Sequence, residues 1–199
     1  MNYFLSIDNI SENPSFTINN QTIFLRENSN NYNARCESSD LINKILKSLE
    51  LLNYEFSDIE IFTYCSGPGG FSSLRTVNII SRLLFRLKPS IRIYKFTLTN
   101  LLFRKFNIKE IYLKAGLNSY FKETYDENNN IKEKCTLIKT TLPLDKNIIE
   151  TNNLNLSAFM RDIILNSNSN DLENLRTKEI SEILPDYFRE ANITVSKKN

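Results

Sequence analysis

Three of the four glycines in this chain of 199 residues lie in a single turn, at Gly67, Gly69 and Gly70. Glycine adopts positive φ and permits close backbone approach without steric cost, so the sequence concentrates these needs at one place. From residue 71 to 88, apolar side chains recur at steps of three and four, a spacing that predicts an amphipathic helix. The chain is therefore expected to turn sharply here and to enter a helix directly.

The glycine turn has two interpretations. Helix N-termini expose unpaired N–H groups, so a turn that leads into one could bind an anion. The stretch lacks the Gly-Lys-Ser/Thr ending of a P-loop, however, and it does not spell Gly-x-Gly-x-x-Gly. We therefore favour the interpretation in which the glycines only shape a strand-to-helix junction.

The chain contains no histidine, which removes the commonest general base and the usual zinc and iron ligand. Its three cysteines, Cys36, Cys65 and Cys135, are widely spaced, and this pattern is typical of isolated buried thiols. We expect no catalytic residue, no metal and no cofactor. Neither an apolar run of about 18 residues nor a secretory signal is visible, so we expect a cytoplasmic protein that is not membrane-bound.

The net charge is only +2, but basic residues are concentrated in the middle of the chain. Residues 72 to 115 carry ten Lys and Arg against one Asp or Glu, a net charge of +9. Such a block can mark a surface that binds nucleic acid or an acidic protein, or it can be a set of solvated helix and strand faces. Both interpretations stay open at this point.

The order of predicted elements indicates an α/β protein with mixed sheets. In residues 1–96, which we interpret as an N-terminal lobe, strands are predicted at 3–8, 15–18, 22–25, 59–64 and 91–96, and helices at 40–52 and 71–88. In residues 97–199, interpreted as a shortened C-terminal lobe, helices are predicted at 98–106, 154–165 and weakly at 172–184, and strands at 109–113, 119–124 and 135–138. Gly116 is the position where the hairpin of this lobe would need a permissive backbone.

Asp8 ends the first predicted strand and has two possible roles. An acid at this point can hold a metal ion in nucleotide-handling folds, or it can cap the following turn through backbone hydrogen bonds. We favour capping, because a magnesium site needs a second carboxylate or a phosphate beside it.

The segment from Ser66 to Arg75 resembles the Gly-Pro-Gly-Ser-Phe-Thr-Gly-Leu-Arg segment of the TsaB (YeaZ-like) family, within the actin-like ATPase superfamily. The matching loop residues are Gly67, Pro68, Gly69, Gly70, Phe71 and Arg75. The first strand, the helix at 40–52, the segment 111–125 and the ending 185–189 follow in the family's order. Gly70 stands where the family has Ser, and Ser73 where it has Gly. The resemblance implies a two-lobed actin-like (RNase H-like) fold with a reduced second lobe.

The resemblance also implies a non-catalytic subunit of the bacterial machinery that forms N6-threonylcarbamoyladenosine at position 37 of tRNA. Such a subunit docks a TsaD-like catalytic subunit through two N-lobe helices, and a TsaE-like ATPase joins them. A homodimer through the same surface is an alternative, and contact with tRNA is expected to be indirect or weak. On the helices at 40–52 and 71–88, the candidate partner anchors are Leu41, Ile45, Leu49, Leu52, Val77, Ile80 and Leu84. A helix that lies on a sheet buries one face, so about half of them should be core.

Two other functions compete with this one. An ATP-binding phosphotransferase of the actin and sugar-kinase type needs phosphate-binding glycine turns, but Asp8 is followed by Asn9-Ile10-Ser11 and the second lobe has only Gly116. An RNA-binding module could use the basic block, although no RNA-binding motif accompanies it.

Overall fold

The computed structural model describes residues 3–25, 38–139 and 148–184, and these form two β-sheets with five α-helices. The first half contains β1 (Tyr3–Asp8), β2 (Ser15–Ile18), β3 (Gln21–Phe24), α1 (Ser38–Leu51), β4 (Ile59–Cys65), α2 (Phe71–Leu87), β5 (Arg92–Phe96) and α3 (Leu98–Phe106). The second contains β6 (Glu110–Gly116), β7 (Ser119–Tyr125), β8 (Ile131–Lys139), α4 (Leu156–Asn166), α5 (Ser169–Glu173) and β9 (Arg176–Thr177).

The first sheet has the strand order β3-β2-β1-β4-β5-β9. Its central strands β1, β4 and β5 run parallel, whereas β2, β3 and β9 pair antiparallel at the two sides. Parallel neighbours need crossover connections, and α1 and α2 lie in the connections that lead to β4 and β5. The second sheet, β6-β7-β8, is antiparallel, and a parallel bridge joins Tyr112 of β6 to Ile148.

The alternation of side chains along β1 divides the core into two layers. Leu5 and Ile7 point to the face that α1 and α2 cover, where they join residues of both helices in one buried cluster. Phe4 points to the opposite face, where it packs with residues of α3, α4 and the second sheet. Because side chains of a strand alternate with period two, one short strand supplies both layers.

The chain returns to the first sheet after completing the second. Helix α4 packs against β1, β2 and β4, and β9 pairs with β5. Ser157 of α4 lies 2.8 Å, oxygen to oxygen, from the hydroxyls of both Ser15 and Thr17. The strands of the first sheet, except β9, therefore lie before residue 97, and the division into two lobes at residue 96 stays a prediction.

Most predicted elements are confirmed within a few residues, and β1 and α3 have the predicted ends. The weak helix predicted at 172–184 is wrong, since this stretch contains the end of α5, the strand β9 and a 3-10 turn at Ile180–Glu182. Pairing with β5 and full burial of Ile183 override its weak helical pattern. The prediction for Gly116 is also wrong: the positive φ of this hairpin, 49°, belongs to Asn118.

Neighbouring residues of α2 provide a test of this packing. Ile80 is 2% exposed and belongs to the cluster under the helices, whereas Ile79 is 54% exposed. We expect Ile80→Ala to lower the free energy of unfolding by about 2–5 kcal/mol, because it leaves a cavity in the core. Ile79→Ala is the matched control and should change it by less than about 0.5 kcal/mol. Urea denaturation measures both, and equal effects would contradict the orientation of α2.

Candidate functional site: the glycine loop, the cleft and the outer helix face

The glycine loop joins β4 to α2 and is held against the start of α3. Gly67 has a φ of 140° and precedes Pro68 through a cis peptide bond. Its carbonyl accepts a hydrogen bond of 2.5 Å from Leu98 N, and Ser66 N donates one of 2.7 Å to Phe96 O. A positive φ of this kind is unfavourable for a side chain with a Cβ, so the sequence needs glycine at position 67.

The other two glycines of the loop differ in what they require. A Cβ on Gly69 would overlap the Cγ2 of Ile10, so close approach of the β1–β2 connection accounts for this glycine. Gly70 is the N-cap of α2, with an extended φ of −66°, and a Cβ there would lie 3.8 Å from its nearest neighbour, the Oγ of Ser73. The prediction that all three glycines serve backbone geometry is thus confirmed for Gly67 and Gly69 and wrong for Gly70.

Asp8 caps the turn that follows β1. Its Oδ1 accepts hydrogen bonds of 3.1 Å from Ile10 N and from Ser11 N, and its Oδ2 accepts one from the Ser11 hydroxyl. Burial raises the pKa of the Asp8 carboxyl, and these hydrogen bonds oppose that rise. The capping role that the sequence favours is therefore confirmed.

A cleft of about 390 Å³ lies between the glycine loop and the second sheet. Its lining combines apolar side chains, such as Ile10 and Phe121, with the charged residues Glu12, Lys114 and Glu150. Two lining residues, Glu12 and Thr151, bind each other: the Glu12 N–H donates to Thr151 Oγ1 at 3.0 Å, and Glu12 Oε2 accepts from Thr151 N at 3.3 Å. The lining thus brings two carboxylates and one ammonium group to the cleft.

The predicted partner anchors lie mostly in the protein's own core. Six of the seven are at most 2% exposed and pack on the first sheet: Leu41, Ile45, Leu49, Val77, Ile80 and Leu84. Leu52 is half-buried and packs against the same cluster. The physical reason is that the apolar residues spaced at three and four on each helix form the row that covers the sheet. The six buried positions are therefore unavailable to a partner, which corrects the choice of those anchors, whereas Leu52 stays a candidate.

Both helices carry a second set of apolar side chains that face solvent. On α2 these are Ile79, Leu83 and Leu87, spaced four residues apart, and on α1 they are Leu46 and Leu51. Each of the five is at least 47% exposed. We call these five residues the outer helix face. Phe71, the first residue of α2 and a member of the glycine-loop motif, is also exposed at 47%.

The basic block is divided between the two sides of the first sheet. Arg75, Arg82 and Arg86 lie on α2, which packs on one side. Helix α3 packs on the other side, and the Nζ of Lys105 near its end lies 4.7 Å from the centroid of the Phe159 ring. The block therefore does not form a single continuous surface, which favours the interpretation as separate helix faces.

In the described ranges, no group of three or more Cys, Asp or Glu side chains is arranged to hold a metal ion. Within the same ranges, no helix is both long and apolar enough to cross a membrane. Cys65 and Cys135 are buried thiols, as the sequence predicts. Cys36 and the ending at 185–189 lie outside the described residues.

No protein-family model matches the sequence, and no curated protein matches it either. A solved structure does match: an uncharacterized protein with similarity to peptidase YeaZ from Pseudomonas aeruginosa. It aligns over 95% of this chain and 100% of its own, with a TM-score of 0.59 and 13% sequence identity. This chain has a YeaZ-like fold.

The YeaZ-like fold agrees with the actin-like arrangement predicted from the sequence. The first sheet is mixed, as predicted, because it contains both parallel and antiparallel strand pairs. YeaZ from Pseudomonas aeruginosa also aligns, over 73% of this chain and 72% of its own, with a TM-score of 0.49 and 14% identity. A likeness at such identities concerns the fold, and unrelated functions share folds, so function has to be argued from the residues of the site.

Sequence reasoning missed the outer helix face of this YeaZ-like chain. The signal that could have found it is that α2 has apolar residues at adjacent positions, Ile79-Ile80 and Leu83-Leu84. On a helix, neighbouring residues point about 100° apart, so repeated adjacent apolar pairs indicate an apolar surface wider than the row that covers the sheet.

The last two glycines of the loop, Gly69 and Gly70, give a matched pair of variants. We expect Gly69→Ala to lower the free energy of unfolding by about 1–3 kcal/mol, because its Cβ displaces Ile10. Gly70→Ser should be neutral or stabilising by a few tenths of a kcal/mol, since serine is a better N-cap than glycine. Urea denaturation of both variants measures these changes. An unchanged free energy of unfolding for Gly69→Ala would contradict the close approach of Ile10 to Gly69.

The raised pKa of Asp8 predicts a pH dependence of stability. A carboxyl whose folded pKa exceeds its unfolded value, about 3.9, favours folding below the unfolded pKa, and this contribution is lost as pH rises through the folded pKa. Asp8→Asn removes the titration but keeps an oxygen for the backbone donors. Urea denaturation from about pH 4 to 7 should therefore show the stability difference shifting in favour of the variant. A constant difference would contradict the assigned cause.

Proposed function

We propose that this chain is a non-catalytic, cytoplasmic subunit that docks a TsaD-like catalytic subunit for formation of N6-threonylcarbamoyladenosine at position 37 of tRNA. A TsaE-like ATPase joins this complex, and the chain contributes binding surface instead of reactive groups. The observation that carries the proposal is the outer helix face. It supplies exposed apolar residues on the two helices that the sequence resemblance assigns to partner binding.

The exposed residues of α2 support a docking role. Ile79, Leu83 and Leu87 recur every four residues, so they follow one side of the helix over more than two turns. A helix side of this kind packs on another helix by fitting its ridges into grooves. Their neighbours Val77, Ile80 and Leu84 fix the helix to the sheet, so the exposed row is presented on a rigid support.

The cleft argues against the alternative of an ATP-dependent phosphotransferase. The connection from β1 to β2 contains no glycine, and it brings Glu12 to the cleft. Glu150 adds a second carboxylate, against Lys114 as the one cation among the described lining residues. Carboxylates repel a triphosphate, and phosphate sites are normally built from backbone N–H groups and cations.

Charged substitutions on the outer helix face test the proposal. With the TsaD-like subunit of the same organism as partner, we expect Ile79→Asp and Leu83→Asp each to weaken binding by at least about 30-fold, because a charge replaces a buried apolar contact. Ile131→Asp on β8 is the control: Ile131 is 50% exposed, close to the 54% of Ile79, but lies on the second sheet. Calorimetric titration measures binding, and circular dichroism checks the fold.

Equal binding by the Ile79 and Ile131 variants would contradict docking through the outer helix face. A reconstituted tRNA modification reaction that proceeds equally well without this chain would contradict the role itself. Micromolar binding of ATP and magnesium by the isolated chain would favour the phosphotransferase, and tRNA binding that weakens steeply with salt would favour the RNA-binding module.

A further inference from the structure

The charges beside the outer helix face bear on which partner it accepts, and this inference rests on the docking function proposed above. Helix α2 carries Arg75, Arg82 and Arg86 and has no Asp or Glu among its 17 residues. Helix α1 is balanced, with Asp40 and Glu50 against Lys44 and Lys47. The two helices together therefore present a net charge of +3, all of it from α2.

The arginines of α2 form a stripe next to its exposed apolar row. Successive side chains of a helix are rotated by about 100° around its axis. Viewed along the axis, Arg75, Arg82 and Arg86 therefore project within about 40° of one another, and Ile79 projects from the adjacent side. Arg75 and Arg86 are exposed. Arg82 is exposed as well, and its Nε donates a hydrogen bond of 3.1 Å to Ile183 O, which fixes this side chain on the surface of α2.

This pattern discriminates between a second copy of the chain and a different protein. In a two-fold symmetric pair the same patch meets itself, so each copy would bring a net charge of +3 to the interface. Helix α2 has no acid to compensate its arginines, and the acids of α1 are offset by its own lysines. A different protein can instead cover the apolar row and place carboxylates opposite the arginines, where bidentate pairing is available.

We propose that the outer helix face selects a partner whose docking groove is apolar and bordered by carboxylates, and that the arginines of α2 disfavour pairing with a second copy. The arginines then supply specificity and the rate of association, while Ile79, Leu83 and Leu87 supply the apolar contact. A salt-dependent complex with the TsaD-like subunit follows from this assignment.

The test compares two double variants with equal loss of charge. Arg75→Gln with Arg86→Gln removes two cations beside the outer helix face, and Lys132→Gln with Lys134→Gln removes two exposed cations from β8. Calorimetric titration with the TsaD-like subunit is run at about 50 mM and about 500 mM NaCl, which brackets strong and weak screening. Sedimentation velocity at the lower salt records self-association.

We expect wild type to be a monomer at micromolar concentration and to bind the partner about tenfold more weakly at high salt. The arginine variant should bind about tenfold more weakly at low salt and lose most of the salt dependence, and the lysine variant should behave as wild type.

A complex that is insensitive both to salt and to the arginine variant overturns the inference while the docking function stands. A wild-type dimer that Leu83→Asp dissociates also overturns it. Absence of any complex overturns the docking function instead.

Discussion

The packing of two amphipathic helices on one face of the first sheet is the constraint that organises the rest of the molecule. Ile45 and Val77 are fully buried against Leu5 and Ile7 of the central strand. Each such side chain contributes about 1.5–3 kcal/mol when fully buried, so the inward rows of α1 and α2 fix the rotation of both helices. Once that rotation is fixed, the remaining apolar residues are necessarily presented outward. The outer helix face is thus a consequence of how the core is filled.

Two carboxylates in the region of the cleft are engaged in contacts within the protein, which supports the proposed docking function. Asp8 uses its carboxylate for the turn after β1, and Glu12 uses its own for Thr151 on the far side of the cleft. These contacts tie the β1–β2 connection to the second half of the chain. The Glu12 carboxylate adds negative charge to the cleft, where a phosphate site would need backbone N–H groups and cations. The chemistry of the cleft and the apolar residues on α1 and α2 therefore agree in favouring docking over nucleotide turnover.

The charges beside the outer helix face determine which partner the face accepts. An apolar row alone would accept any apolar groove, including one on a second copy of the chain. The arginines beside it carry one sign of charge, and each copy would present the same sign. Specificity then comes from the unfavourable pairing as much as from the favourable one.

The sequence predicts the elements of the fold well because each has a strong local signal. Helix α2 is marked by its three-and-four spacing and by the glycines before it, and β1 by its alternation. The division of α2 into inward and outward residues could not be read in the same way. Ile79 and Ile80 are the same residue type, and only the position of the sheet decides which is buried. Strand β9 was missed because two residues carry no periodicity, and Asn118 takes the positive φ expected of Gly116 because Asn also tolerates the left-handed region.

Hydrogen–deuterium exchange of this chain with and without the TsaD-like subunit tests the central claim most directly. Amide exchange reports local opening, so a docked surface is protected where the partner covers it. The account predicts added protection concentrated in peptides from 38–51 and 71–87, with unchanged exchange in the cleft segments 9–14 and 148–151. Protection confined to the cleft segments, with α1 and α2 unchanged in the presence of a saturating partner, would contradict it.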